Sequence, residues 1–583
     1  MDSRKLNSSY EPLYSIEKHF KLEAGPGSGK TTFIAEHVKR VLIESKRLQM
    51  SRKVACITYT NTGVNSLLER LGDARHEVEV STIHSFLYKH VLQPYFWLLD
   101  DWPYKKGHIP KLFKQKLHGG HVKEIIRETN DGYLLFNNKI PLHEIVAAFE
   151  SIKWVKRNEE YTFEFYPGYN RKLGSSGTEA DKKIKGEEGW LRNASAKLYR
   201  EKCHEEGILL YEDVIYFSYV LLQKHSKLQE IIRAKFPYLI VDEFQDTTSL
   251  QTDILKLLGQ KEMVIGVIGD RNQSIYEFAG ANVNAFESWE LPGMKRYHIV
   301  QNRRTHKAIV DVLNYLKTDK YIDQEPIKCN LRDDRPIIIL NTLQKAYQYC
   351  SKEWQGKIHV LGYNFDATVE KYNPEVKTNN FKEFSLFLSE DDKRGRKIRG
   401  TLKAILAMEK LDISIALEEI KAIQKRDGHL DEIQALKYLE KIRKTYKDYY
   451  DKSMKEYYIE ILYEQKLIKT AKLTEGSNPS NQYSAMSLKN GLASIKNEDK
   501  KYQDVQTIHS MKGDEAENIL VAIPDNNINF LTNPKLSNES HRVHFVAASR
   551  AKEKLAFQVN KEHKDKIKLS CDEKIFNIID TKS

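Results

Sequence analysis

Residues Ala24–Thr31 read A-G-P-G-S-G-K-T, with an apolar run, Phe20–Ala24, before them and a helical pattern after them. A glycine-rich turn that ends in Lys-Thr is a cradle for a nucleoside triphosphate. Its backbone N–H groups point inward, Lys30 reaches the outer phosphates and the Thr31 hydroxyl holds Mg²⁺. The first position is Ala24 rather than glycine, which leaves Gly25, Gly27 and Gly29 to make the turn, with Pro26, Ser28 and Thr32 completing the nucleotide-contacting stretch. Downstream, V-D-E-F-Q-D at Val241–Asp246 closes another apolar run, Tyr238–Val241. That pattern predicts a buried strand delivering Asp242 and Glu243 beside the phosphate site.

At 583 residues the chain is too long for one core, and its length suggests about three to five domains. A hydrophobic fraction of 40% with 30% charged residues describes a globular protein in water. Met1–Tyr10 lacks the apolar core of a signal peptide and no run is long enough for a bilayer, so the expectation is a cytoplasmic protein without membrane partners. A net charge of +12 suits a polyanionic partner. Cys56, Cys203, Cys329, Cys350 and Cys571 are scattered without a C-x-x-C pair, which argues against a structural metal or a disulfide framework.

The spacing of apolar runs predicts two α/β units. Phe20–Ala24, Val54–Thr58, Tyr238–Val241 and Met263–Ile268 read as strands of one parallel sheet. Tyr297–Val300, Pro336–Leu340, Lys357–Leu361, Ile519–Ile523 and Lys554–Gln558 read as a second. Each unit is interrupted. The first insertion is aromatic and charged, with a loop expected at Arg171–Gly189, and the second is helical and charged. Thr401–Ile423 has apolar positions at spacings near three and four, and Glu475–Gln482 reads as a break.

Further short segments fall in a fixed order. They are I-T-Y-T-N at 57–61, S-T-I-H-S at 81–85, Y-E-D at 211–213, I-G-D-R-N-Q-S-I-Y-E-F-A-G-A at 268–281, Q-N-R-R-T at 301–305, I-H-S-M-K-G-D-E at 508–515 and V-A-A-S-R-A-K-E at 546–553. With the two segments above, this series resembles superfamily 1A DNA helicases, the UvrD/Rep/PcrA group. The resemblance implies two RecA-like P-loop domains with parallel sheets, each carrying a largely helical insertion. Residues 1–90 and 205–290 would form the first domain around an insertion at 91–204. Residues 291–366 and 501–583 would form the second around an insertion at 367–500.

It also implies roles. Lys30, Glu243, Gln273, Arg304 and Arg550 would be catalytic, with Glu243 orienting the attacking water, Gln273 sensing the γ-phosphate and the two arginines acting as fingers from the second domain. Thr31 and Asp242 would hold Mg²⁺, and Arg303, Gly513 and Glu515 would join the ATP site, Glu515 at the ribose. DNA would meet Tyr59, Thr60, Thr82, His84, Tyr276, Phe278, His509 and Lys512, the aromatics by stacking on bases.

Some positions depart from the family pattern. The glutamine that reads adenine has no counterpart in Leu6–Tyr10. Thr32 replaces an arginine, Arg303 a stacking tyrosine, Ala279 an arginine and Asp514 a leucine. Phosphate chemistry is therefore expected to be intact while adenine selectivity is not. The expected function is ATP- and Mg²⁺-dependent movement along single-stranded DNA with 3′→5′ unwinding of tailed duplex. The alternative is a DNA- and nucleotide-sensing ATPase subunit that accompanies a separate nuclease, as in Gabija-type bacterial antiphage systems. A small-molecule kinase would leave the segments after Gln273 unexplained.

Overall fold

The computed structural model describes residues 3–49, 51–104, 152–157, 160–165, 193–205, 207–277, 281, 283–317, 323–329, 334–374, 393–409, 412–424, 432–465, 470–498, 501–502 and 504–580, with isolated positions between them. The loop expected at Arg171–Gly189 and the DNA contact expected at Phe278 lie outside the described residues.

In chain order the strands begin with β1 (Arg4–Leu6), β2 (Phe20–Ala24), β3 (Val54–Thr58) and β4 (Val78–Thr82). A hairpin follows, β5 (Ile152–Arg157) and β6 (Glu160–Phe165), and then β7 (Tyr238–Val241), β8 (Val264–Gly269) and β9 (Lys295–Ile299). Apart from the hairpin these strands form one parallel sheet, ordered β1-β9-β2-β8-β7-β3-β4. Three of its central strands, V-A-C-I-T, Y-L-I-V and V-I-G-V-I-G, are almost wholly apolar because helices cover both faces. Ile34, Val38 and Val41 of the helix Lys30–Glu44 pack on one face. Leu221, Leu222, Ile254 and Leu258 pack on the other.

A short parallel pair, β10 (Gln301–His306) and β11 (Glu325–Lys328), leads to the second sheet. That sheet comprises β12 (Ile337–Leu340), β13 (Ile358–Gly362), β14 (Lys501–Tyr502), β15 (Val505–Thr507), β16 (Ala516–Ala522), β17 (Ala551–Val559) and β18 (Asn577–Ile579). Its order is β14-β15-β13-β16-β17-β12-β18, with β14 antiparallel to β15 and the other pairs parallel. The architecture is α/β with two RecA-like parallel sheets, as the motifs implied.

Three details differ from the sequence reading. The strand expected at Tyr297–Val300 was placed in the second sheet, but β9 hydrogen-bonds between β1 and β2 of the first. Parallel strands are joined by long crossovers, so chain order does not name a strand's neighbours. The helical pattern of Thr401–Ile423 is two helices, Gly395–Glu409 and Ile413–Gln424, packed through Ile398, Leu402, Ile405, Ala416, Ile420 and Ile423. The expected break at Glu475–Gln482 contains the start of a helix, Asn478–Ser484, whose first turn carries a proline and is capped by the Ser477 hydroxyl.

Candidate nucleotide and nucleic-acid site

The site forms at the carboxyl ends of the first sheet's strands, the usual place for ligands in parallel sheets, where they meet Glu515 and Arg550, which stand just before β16 and β17 of the second sheet. A cleft of about 320 Å³ lies there, floored by the Gly25–Thr32 loop and walled by residues of both halves. The loop leaves β2 and enters the helix that starts at Lys30. Gly27 (φ 71°) and Gly29 (φ 86°) adopt left-handed backbone, which a side chain would strain, and this directs the loop's N–H groups inward. The Ser28 hydroxyl donates to the Gly25 carbonyl (2.7 Å), and the Lys30 ammonium to the Ala24 carbonyl (3.2 Å). Ala24 thus supports the loop from the strand end, while residues 25–32 line the cleft.

The loop is also held from the second side. Asn302 and Gln324 side-chain amides both donate to the Pro26 carbonyl, at 3.0 and 2.9 Å. The same Asn302 oxygen accepts from the backbone N–H groups of Arg304 and Thr305. The Arg303 N–H donates to the Gly27 carbonyl (2.8 Å). Gln324 belongs to no motif in the sequence, and only the folded chain brings it to the loop.

Two carboxylates stand opposite Lys30. The Asp242 N–H donates to the Ile57 carbonyl (2.8 Å), which fixes the end of β7 beside β3. Burial, then the neighbouring Glu243 charge, pushes the Asp242 carboxyl above its ordinary range. Burial acts against ionised Glu243 as well, but Lys30, Lys512, Gln245 and Arg550 outweigh it and hold that carboxyl low. Glu243 itself has φ 50°, a left-handed conformation that is costly for a non-glycine residue and that persists only under surrounding constraint. Part of that constraint is Gln245, whose amide N–H donates to Glu243 while its oxygen accepts from the Asp270 N–H (3.1 Å).

From Asp270 the chain of contacts crosses to the second half. The Gln273 amide donates to Asp270 Oδ2 (2.7 Å), and Gln273 Oε1 accepts from Arg550 Nη2 (2.6 Å). Arg550 is 4% exposed, and burial, reinforced by nearby Arg304, lowers its pKa. Arg304 donates to Glu515 (2.8 Å) and to the Ser549 carbonyl (2.9 Å). Glu515 also pairs with Lys552. Lys512 bonds Asp246 and the Gln273 carbonyl (2.9 Å). Gln245 and Asp246 stand in the quoted V-D-E-F-Q-D segment, yet nothing in the segment itself marks a role for either. Their part emerges only from what they touch.

The residues expected to meet nucleic acid fall into two groups. Tyr59 and Tyr276 stack on each other, ring centres 5.1 Å apart and planes 25° from parallel, and His509 lies 6.1 Å from Tyr276. Lys512 sits 4.7 Å above the Tyr276 ring. Thr82 and His84 lie at the end of β4, where Thr82 caps a short helix and His84 meets Tyr211 edge-on at 5.4 Å. Thr60 caps the helix Asn61–Leu71 by accepting from the Gly63 N–H (3.1 Å). Tyr59, Thr60 and Lys512 also line this cleft, so residues expected to meet DNA and residues expected to meet phosphate share a wall.

Arg70, in the last turn of Asn61–Leu71, reaches the same cleft and donates to Thr32 Oγ1 (3.1 Å). The five cysteines are free thiols. Among the described residues Asp525, Glu562 and His563 bring three potential ligand atoms within 4.8 Å on the surface of the second half, a grouping that exposed acidic residues also form without an ion. Among the described residues no helix is long and apolar enough to cross a membrane.

Comparison with known proteins bears on this geometry. The family model for the UvrD/REP helicase N-terminal domain matches residues 7–291. The chain is 23% identical over 390 residues to a probable DNA helicase II homolog of Mycoplasma capricolum, covering 64% of this chain and 49% of that one. It is 26% identical to the Gabija protein GajB of Bacillus cereus, covering 51% of this chain and 46% of that one. It is also 26% identical to the ATP-dependent DNA helicase Rep of Salmonella typhimurium, covering 50% and 40%. Each match thus spans about half or less of the relative's own length.

Proposed function

We propose that the chain, similar over residues 7–291 to the UvrD/REP helicase N-terminal domain and to the helicases compared above, is a superfamily 1A helicase that hydrolyses nucleoside triphosphate to move along single-stranded DNA and open tailed duplex with 3′→5′ polarity. The observation that carries the reading is the contact chain Glu243–Gln245–Asp270–Gln273–Arg550, which joins the carboxylates of one half to an arginine of the other across the cleft.

In this reading the loop N–H groups and Lys30 hold the phosphates. Glu243, kept ionised by its cationic neighbours, accepts a hydrogen bond from the attacking water and orients it in line. Arg304 and Arg550 offset the charge that builds on the transferring phosphoryl group. Because they come from the second half, the grip on a triphosphate exists only while the halves are closed, and loss of the terminal phosphate releases it. Alternate closing and release, with Tyr59, Tyr276 and Lys512 on the shared wall, gives a means of stepping along a strand.

The residues at the cleft floor fit a magnesium ion. Thr31 and Asp242 offer hard oxygen donors, and Asp242, whose carboxyl burial and the adjacent Glu243 charge push up, is the group an added cation would hold ionised. Bound there, the ion would neutralise charge on the phosphate oxygens.

The decisive experiment is hydrolysis with and without single-stranded DNA, followed by unwinding of duplexes with 3′ or 5′ tails. A second reading, a nucleotide- and DNA-sensing subunit of an antiphage nuclease complex, draws on the similarity to the Gabija protein GajB. Strand-stimulated hydrolysis without unwinding of either tailed duplex, restored by a nuclease partner, would favour it.

A further inference from the structure

We infer that Gln324 is a positioning residue for the phosphate loop: together with Asn302 it clamps the Pro26 carbonyl from the second half, so that retention of a nucleotide depends on that half staying in place. The inference rests on the nucleotide-hydrolysis reading above and adds a residue that governs release from the same site.

Gln324 lies just before β11, 298 residues along the chain from Pro26. Its backbone is held from behind by Asn314, on the helix Lys307–Leu316. The Gln324 N–H donates to Asn314 Oδ1 (2.9 Å), and its carbonyl accepts from Asn314 Nδ2 (3.0 Å). Ile309, Val312, Leu313 and Leu316 of that helix pack with Ile338 and Leu340 in the core of the second sheet. The backbone of Gln324 therefore belongs to the second half, while its side chain reaches into the first. Asn302 locks that side chain in place by donating to Gln324 Oε1 (3.3 Å) as well as to Pro26. Gln324 is 4% exposed and Asn302 1%.

A carbonyl oxygen has two lone pairs, and at Pro26 it accepts from both amides. In a trans peptide the C=O and the next N–H lie on opposite edges of one plane, and the described residues contain no cis bond. Fixing the Pro26 carbonyl therefore fixes the Gly27 N–H, turned the other way. The following carbonyl, that of Gly27, accepts from the Arg303 N–H (2.8 Å). Two successive peptide planes of the loop are thus set by the second half. A loop already held in one orientation loses less freedom when a phosphate arrives, which raises affinity.

The glycines of the loop show the closeness of this contact. Gly25 is outside the left-handed region, so its backbone does not demand glycine. A Cβ there would lie 2.7 Å from Gln324 Nε2, and one at Gly27 would lie 2.5 Å from Asn302 Oδ1. Room for the clamp is what excludes a side chain at Gly25. When the halves part, both donors leave Pro26 together and the loop loses its preset orientation.

The test uses the full chain with Mg²⁺ and saturating single-stranded DNA, as the parent, Q324A and Q324M. Methionine is close to glutamine in length and volume and has no N–H to donate, while Asn302 still satisfies the Pro26 carbonyl, so Q324M is expected to fold as the parent does. Steady-state ATP hydrolysis and the dissociation rate of fluorescent mant-ADP are measured. Both variants are expected to release mant-ADP about tenfold faster and to raise KM for ATP about tenfold, with a smaller change in kcat. Tenfold is about 1.4 kcal/mol, in the range of one buried hydrogen bond. Affinity for single-stranded DNA without nucleotide should match the parent's, and a loss there of the same size would overturn the inference as general loosening. A parental KM and dissociation rate in Q324M would also overturn it, because bulk rather than the amide would then be what the loop needs. If the parent binds mant-ADP without hydrolysing ATP, and Q324M still releases it about tenfold faster, the inference stands and the hydrolysis reading falls.

Discussion

Lys512, from the second half of the molecule, forms an ion pair with Asp246 of the first, and both side chains are buried, at 7% and 0% exposure. The same ammonium covers the Tyr276 ring and bonds the Gln273 carbonyl. One lysine therefore touches the aromatic proposed to hold a base, the glutamine proposed to sense phosphate and the segment that carries Glu243.

Breaking this pair from one side leaves a charge buried without a partner, a loss that costs about 3–5 kcal/mol in comparable sites. K512A is expected to lower thermal stability more than the double variant K512A/D246N, in which neither charge remains. A double-mutant cycle by denaturant unfolding should give a coupling energy above about 1 kcal/mol. Additive effects would mean that the two groups do not interact in solution.

K30A and E243Q are expected to stop turnover by different routes. K30A removes positive charge from the phosphates, so nucleotide binding falls together with rate. E243Q keeps the shape and loses the base, so nucleotide binding persists and the DNA-bound closed state accumulates. Filter binding and single-turnover hydrolysis separate the two, and substantial turnover by E243Q would contradict the role given to Glu243.

Much of this was legible in the sequence, and the reasons differ by element. β3, β7 and β8 read correctly because a strand buried on both faces is largely apolar, β2 because Phe20, Leu22 and Ala24 alternate with Lys21 and Glu23 just before the phosphate loop, and the loop itself because Gly27 and Gly29 take up left-handed backbone. β9 was given to the wrong sheet because strand order is a tertiary property. Gln245 and Asp246 were in view inside a recognised segment, but their partners, Asp270 and Lys512, lie 25 and 266 residues away. Arg70 and Gln324 had no motif to announce them. They reach the loop only because a helix end and a strand entry are packed beside it.

Tyr276 stacks on Tyr59 and lies under Lys512, so its ring is placed to pass strand occupancy to the nucleotide site. Y276A is expected to weaken single-stranded DNA binding by about 1–3 kcal/mol, the worth of one stacking face, and to reduce stimulation of hydrolysis by DNA. Y276F keeps the face and should behave like the parent. DNA-stimulated rates measured over a DNA titration check this, and a Y276A curve that overlays the parent would make Tyr276 a packing residue.

The proposed 3′→5′ polarity rests on the resemblance to the UvrD/Rep/PcrA group and is tested by substrate. A duplex with a 3′ single-stranded tail is expected to unwind and one with only a 5′ tail is not. Unwinding should weaken steeply as salt rises, because lysines and arginines on the strand displace counterions. Preference for the 5′ tail would place the motor on a different branch of its superfamily.

The measurement that tests the central claim most directly is the steady-state rate of ATP hydrolysis, in Mg²⁺, with and without single-stranded DNA. The proposed shared wall of DNA-contacting and phosphate-contacting residues predicts a rate at least about tenfold higher with DNA, a lowering of the barrier by about 1.4 kcal/mol, and loss of turnover when EDTA removes the proposed metal. Hydrolysis that is equally fast without DNA would contradict the coupling between strand and nucleotide on which the account rests.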